Sequence, residues 1–116
     1  MPNRWDIFRV DFGRPTGHEP GKERPALVIS YDALNWNTPF VTVCPITSTR
    51  RSAYACEVPV PMGEGLDRDS IIQVQLIRTI DARRLRDQIG RLRDPVIQEK
   101  VQQSLLTLLG LGELGA

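Results

Sequence analysis

Only two cysteines and one histidine occur among the 116 residues of the chain. Cys44 and Cys56 are too few and too widely spaced for a disulfide framework or a zinc site. Each is expected to act as a small buried hydrophobe. There is no apolar run of the ~18 residues that a membrane span needs. The opening stretch "MPNRWDIF" lacks the long apolar segment of a signal peptide. A reduced, cytoplasmic protein with no membrane association is therefore expected. GxGxxG, P-loop, HExxH and CxxC patterns are all missing, so neither a nucleotide cofactor nor a bound metal is called for. An excess of one charge is missing too: the net charge is +1, which excludes a global basic field for nucleic acid.

What is present fits one globular domain over residues 1–116. Hydrophobic residues make up 41%, enough for a single core. Arginine supplies 13 of the 15 cations, clustered at Arg50-Arg51, Arg83-Arg84-x-Arg86 and Arg91-x-Arg93. Forked guanidiniums suit phosphate, while a solvated charged face is the plainer reading of any one cluster.

Apolar periodicity divides the chain. "WDIFRVDF" alternates, with Phe8, Val10 and Phe12 on one face, and predicts a strand from Trp5 to Phe12. Gly13 to Glu23 is a long glycine- and proline-containing loop, a length that is often functional. "PALVIS" reads as a buried strand and "YDALNW" as a helical turn or an irregular connection. "PFVTVCPIT" is a β-branched strand. Its Pro45 cannot donate to a ladder, which predicts a bulge or an edge. "ACEVPV" reads as a strand with an edge-type proline, "PMGEGLDRD" as a turn, "SIIQVQLIRTI" as a strand broken near Gln75, and "RDQIGRL" as a short further strand. Asp94-Pro95 is a helix start. Ile97, Val101, Leu105, Leu108 and Leu109 make a helical apolar stripe, stopped at Gly110. Strands followed by one C-terminal helix predict a mainly β protein: a strongly bent antiparallel sheet or small barrel with the helix packed on it.

The ordered pieces "DIFRVDF", "GHEPGKERPALVIS", "VTVCPITS", "IRTIDARRL" and a terminal helix ending "LLGL" resemble the MazF/PemK family of toxin endoribonucleases. The resemblance runs from about Asp6 to Leu111. It implies an SH3-like small barrel of the CcdB/PemK type with helices added, and a homodimer. It further implies metal-independent cleavage of single-stranded RNA, chiefly messenger RNA, at a short sequence. The implied partner is a cognate antitoxin whose partly disordered segment covers the toxin. Carried onto this chain, the arginine of the "RP" motif is Arg24, the threonine of "ITS" is Thr47 with Ser48 after it, and the acidic loop residue is Glu19. The family's segment before the last strands falls at Gln75 to Asp81 and includes Arg78. Here the chain departs from the pattern: Leu76 stands where glutamine is usual, and Gln75 where aspartate is common.

RNA can be cut by its own 2′-hydroxyl, so the protein must align the attack and stabilise the charge on a five-coordinate phosphorus. Arg24 suits the second task, because its guanidinium is permanently charged and forked. Pro25 biases Arg24 toward extended backbone and aims it outward. The competing reading is a surface ion pair with Glu23 or Glu19. The Thr47 and Ser48 hydroxyls can donate to a phosphate oxygen, or can simply serve a strand-end turn. Arg50 and Arg51 are candidate phosphate contacts. Tyr54 is a candidate stacking platform, with Trp36 a lesser one. His18 is read as a solvated loop residue rather than a general base. With no acid–base pair visible, catalysis by positioning and charge stabilisation is expected. The alternatives are a barrel-type toxin that binds a protein, as gyrase poisons do, and a degenerate homologue that keeps only antitoxin binding.

Overall fold

The computed structural model describes residues 1–14, 16–18, 21–48 and 54–112. Glu19, Arg50 and Arg51 lie outside the described residues.

Among the described residues seven strands and two α-helices follow one another as β1 (Asp6–Asp11), β2 (Glu23–Val28), α1 (Asp32–Asn37), β3 (Phe40–Thr47), β4 (Glu57–Val60), β5 (Ser70–Gln73), β6 (Arg78–Asp81), β7 (Leu85–Arg91) and α2 (Pro95–Leu108). All pairings are antiparallel, in the order β4-β5-β3-β2-β1-β7, with β6 also on β3. Among the described residues β4 and β7 stand at the two ends of the sheet and do not pair, so the sheet is not closed. The architecture is otherwise the expected one, a mainly antiparallel β sheet with a C-terminal helix. No helix among the described residues is long and apolar enough to cross a membrane.

The alternation of β1 decides how the core divides. Trp5 and Ile7 join Leu27, Cys44, Ile46, Ile72 and Leu92 in a core covered by α2 through Ile97 and Val101. Val10 and Phe12 face the other way and pack with Ala26, Val28, Val41, Val43 and Ile80. A period of two residues sends neighbours to opposite faces, so one strand feeds both cores.

Pro45 is neither at an edge nor at a bulge of the β2 ladder. It lies in β3, paired with Ala26 of β2. On the other side of β3 the partner changes: Phe40 to Val43 pair with β6, and Ile46 and Thr47 pair with β5. The Ile29 N–H donates to Thr42 O. By alternation, Cys44 turns its polar groups to β2 and Pro45 turns toward that gap, where no ladder donor is needed. Pro59 fits more simply, since its strand β4 is an end strand. The break at Gln75 takes the form of a 3₁₀ turn, Val74–Leu76, that lets one apolar run serve two strands.

Helix α2 begins where the sequence places it. The Asp94 carboxylate accepts from the Val96 N–H at 2.9 Å, and Pro95 occupies the first turn. Gly110 takes a φ of 70° just past the end, a conformation that favours glycine. The apolar stripe is narrower than its five-residue pattern: Ile97 and Val101 are buried, Leu105 and Leu108 half-buried, and Leu109 is 61% exposed. Asp94→Ala is expected to lower stability by about 1 kcal/mol through loss of the cap, measured by thermal melting.

Candidate active site

The β2–β3 register pairs Ala26 with Pro45 and Val28 with Val43. Continued by two residues, it sets Arg24 across from Thr47, so two positions distant in sequence arrive at one end of the sheet. β1 contributes from the other side: Arg9 pairs with Pro25, and Val10 with Arg24. The turn between β4 and β5 completes the ring. Together Arg9, Arg24, Pro25, Ile46, Thr47, Ser48, Leu66, Asp67, Arg68 and Ser70 line one cleft of about 310 Å³.

Local structure holds these groups. The half-buried Arg24 donates from Nε to Gly21 O at 3.2 Å, which ties its guanidinium to the loop before β2. Among the described residues Arg24 forms no ion pair. Glu23, its expected surface partner, is instead 3.8 Å from Arg86. Thr47 is buried at the end of β3 and Ser48 is exposed just after it. The 61–69 turn is fixed by reciprocal Gly63–Leu66 backbone bonds of 2.9 Å. The Asp69 carboxylate accepts from Met62 N–H at 2.8 Å, and Leu66 is buried in the first core. That anchor leaves the neighbouring Asp67 and Arg68 side chains 93% and 70% exposed at the cleft, with Arg68 Nε 3.8 Å from Asp67 Oδ1.

Among the described residues the lining carries three guanidiniums against one carboxylate. At short range such a cleft favours a phosphodiester even though the whole chain is nearly neutral. Arg9, Asp67, Arg68 and Ser70 were not among the candidates drawn from the sequence. Alternation does place Arg9 on the polar face of β1. Its position across from Pro25 depends on pairing with a strand beyond a long loop.

Gln75 and Arg78 line a second cleft of about 330 Å³ with Phe12, Arg14, Thr16, Leu76 and Ile77. The Arg78 guanidinium carbon lies 5.6 Å from the Phe12 ring centre, a cation–π distance. The Gln75 amide donates to Glu57 Oε2 at 2.6 Å, and its oxygen accepts from Cys56 Sγ at 3.8 Å. Glu57 is buried and also accepts from the Tyr54 N–H at 2.9 Å. The candidates thus divide between two clefts, Arg24, Thr47 and Ser48 in one and Gln75 and Arg78 in the other. Tyr54 is exposed and lines neither. Leu76, at the departure from the family pattern, lines the second cleft. Trp36 is about half exposed, with Nε1 donating to Pro2 O at 3.1 Å. His18 is exposed in a turn and lines neither cleft.

The two arginine clusters that lie among the described residues, Arg83-Arg84-x-Arg86 and Arg91-x-Arg93, are engaged in ion pairs on the protein itself. Arg83 pairs with Asp81 at 3.0 Å, Arg86 with Asp11 at 3.1 Å, and Arg91 with the buried Asp6 at 2.8 Å. The hydrogen bonds from Arg83 hold the Asp81 carboxyl below its usual range. Of the cysteines, Cys44 is buried and its thiol is pushed up to about 12, mainly by burial and secondly by Cys56. A thiol so placed is inert. Cys56 is only half-buried.

Residues 3–109 match the family model of the PemK-like, MazF-like toxin of type II toxin–antitoxin systems. The chain belongs to this family. It is 36% identical over 110 residues to Endoribonuclease EndoA of Bacillus subtilis, covering 93% of this chain and 94% of that protein. Among solved structures, MazF of Deinococcus radiodurans is 32% identical with a TM-score of 0.81, covering 94% of this chain and 96% of that one. An endoribonuclease in complex with its cognate antitoxin from a mycobacterial species is 27% identical with a TM-score of 0.77, covering 97% and 99%. The open bent sheet with its C-terminal helix is thus the MazF/PemK fold.

Proposed function

We propose that this chain is the toxin of a type II toxin–antitoxin system and acts as an endoribonuclease on single-stranded RNA. The observation that carries the proposal is the convergence of Arg24, Arg9 and Arg68 with the hydroxyls of Thr47 and Ser48 around one cleft. Its support from outside the chain is the endoribonuclease to which it is 36% identical over nearly its whole length.

In this reading the scissile phosphodiester sits in the 310 Å³ cleft. The ribose 2′-oxygen attacks the adjacent phosphorus, and the bond to the 5′-oxygen breaks. The products are a 2′,3′-cyclic phosphate and a 5′-hydroxyl. The guanidinium of Arg24, tethered to Gly21, stabilises the added charge on the equatorial oxygens, and Thr47 and Ser48 donate to the same oxygens. Arg9 and Arg68 hold the substrate's charge in place. The reaction needs no metal, because the positive charge is already built into the cleft. Gln75 and Arg78 in the second cleft, with Tyr54 nearby in sequence to Glu57, are read as contacts to neighbouring nucleotides, and Glu19, Arg50 and Arg51 as contacts from the loops. Single-stranded RNA offers unstacked bases to such contacts, which makes the cutting sequence-specific. The protein works in the cytoplasm as a homodimer. A cognate antitoxin restrains it by laying a partly disordered, acidic segment over the arginine-lined cleft. A cleft built for phosphate favours this reading over a toxin that only binds a protein.

The test is digestion of a mixed RNA pool by the purified protein in the presence of a chelator, with mapping of the new 5′ ends. Discrete cuts with 5′-hydroxyl ends are expected. Cutting that requires added divalent ions, or none under any condition, would overturn the proposal.

A further inference from the structure

Cleavage by the 2′-hydroxyl requires that its proton go somewhere, and Arg24, Thr47 and Ser48 offer no basic group to take it. Arg24 cannot readily lose a proton. His18 is outside the cleft. The lining itself narrows the choice. Among the described residues that line it, Arg9, Arg24 and Arg68 are permanently charged donors, Thr47, Ser48 and Ser70 carry hydroxyls, and Pro25, Ile46 and Leu66 are apolar. Asp67 is the one described lining residue with a carboxylate.

We propose that Asp67 is the general base of the reaction and takes the proton from the 2′-hydroxyl; this rests on the nuclease reading given above. The turn that carries it is well suited to the task. Leu66 on one side is buried in the core. On the other side Asp69 is bonded to Met62 N–H at 2.8 Å, and the Ser70 hydroxyl donates to Arg68 O at 2.9 Å. The backbone on both sides of Asp67 is therefore fixed while its carboxylate stays solvent-accessible. Among the described residues, the other charged groups that line its cleft are Arg9 from β1, Arg24 from β2 and the adjacent Arg68, all cationic, with Arg68 Nε 3.8 Å from Asp67 Oδ1. A carboxylate is a weak base toward an alcohol. In this cleft it works because the guanidiniums stabilise the phosphorane as it forms, so the proton leaves as the O–P bond is made rather than before.

The step balances without any further reagent. The 2′-O–P bond forms while the 2′ proton passes to an Asp67 oxygen. The P–O5′ bond breaks, and the departing 5′-oxygen takes a proton from water. Asp67 then returns its proton to solvent, leaving the cyclic phosphate and the 5′-hydroxyl.

Asp67→Asn and Asp67→Glu separate this role from a structural one. The Asp67 side chain is exposed, so folding stability should move by no more than about 0.5 kcal/mol in either variant, read from melting curves. Asp67→Asn is expected to lower kcat roughly 10²-fold or more, while Asp67→Glu keeps activity within about tenfold of wild type. Binding of an RNA carrying a 2′-deoxy sugar at the cut site, which cannot react, should stay within about threefold in both variants. An Asp67→Asn variant that cuts at the wild-type rate, or one whose loss is all in binding, overturns the assignment. A wild-type protein that cuts no RNA overturns the nuclease reading itself, a result distinguishable from an active wild type indifferent to position 67.

Discussion

Arg24→Ala is expected to lower the rate of RNA cleavage roughly 10²–10³-fold, a loss of about 3–4 kcal/mol of transition-state stabilisation. The size follows from what the guanidinium does in the proposed reaction. It is held by Gly21 O at 3.2 Å, so it needs little reorganisation when charge builds on phosphorus. The loss should fall mainly on kcat, because Arg9 and Arg68 remain in the cleft to hold the substrate's phosphate. Arg24→Lys should recover only part of the rate, since an ammonium lacks the fork that meets two oxygens at once. The fold should survive. Arg24 is only half-buried and forms no ion pair among the described residues, and the β1–β2 ladder around it is made by backbone groups. Cleavage of a short RNA under single-turnover conditions measures the effect, with circular dichroism as the control. Wild-type activity in Arg24→Ala would place the chemistry elsewhere.

The sequence showed some of this site and hid the rest, and the divide follows chain separation. The α2 start was legible because its cap is local: Asp94 meets Val96 two residues on. The alternation of β1 was legible for the same reason, as was the break at Gln75 between two apolar runs. Arg24 and Thr47 were picked out as members of a family pattern, and their meeting became visible only through the β2–β3 register. Arg9 had only the alternation of β1 to mark it as polar-facing, and Asp67 had no local signal. One lies mid-strand and the other in a turn, and they reach the same cleft through pairings that span most of the chain. Pro45 misled for a related reason: its residue type argues for an edge, while the change of partner from β6 to β5 is a property of the whole sheet. Leu109 fitted the helical stripe by spacing, yet it falls past the end of α2 and is exposed.

The second large effect concerns what holds the Asp67 turn against the sheet. Gly90 sits in β7 opposite Ile7, and Gly65 sits in the turn. The two backbones touch. A Cβ on Gly90 would meet Glu64 O at 1.9 Å and Gly65 Cα at 2.8 Å. A Cβ on Gly65 would meet Ile89 O at 2.1 Å and Gly90 Cα at 2.7 Å, at a φ of +100° that side chains rarely adopt. The obstacle on each side is backbone, so no flexible side chain can swing away. The turn must lift or β7 must shift. Gly90→Ala is expected to cost about 1–3 kcal/mol as an overpacking substitution, which lowers the melting temperature by on the order of 5–10 °C in a domain of this size. Gly65→Ala should cost more, since strain at φ adds to the clash. Gly112→Ala is the control: its nearest neighbour is Thr107 Oγ1 at 3.8 Å, and its effect should be small. The activity readout joins this to the chemistry. Lifting the turn moves Asp67 and Arg68 away from Arg24 and Thr47 without altering any cleft residue. Gly90→Ala should therefore cut RNA more slowly even at temperatures where it stays fully folded. A variant with wild-type melting would show that the turn does not press on β7, and one that is destabilised but fully active would show that the turn's position is irrelevant to cleavage.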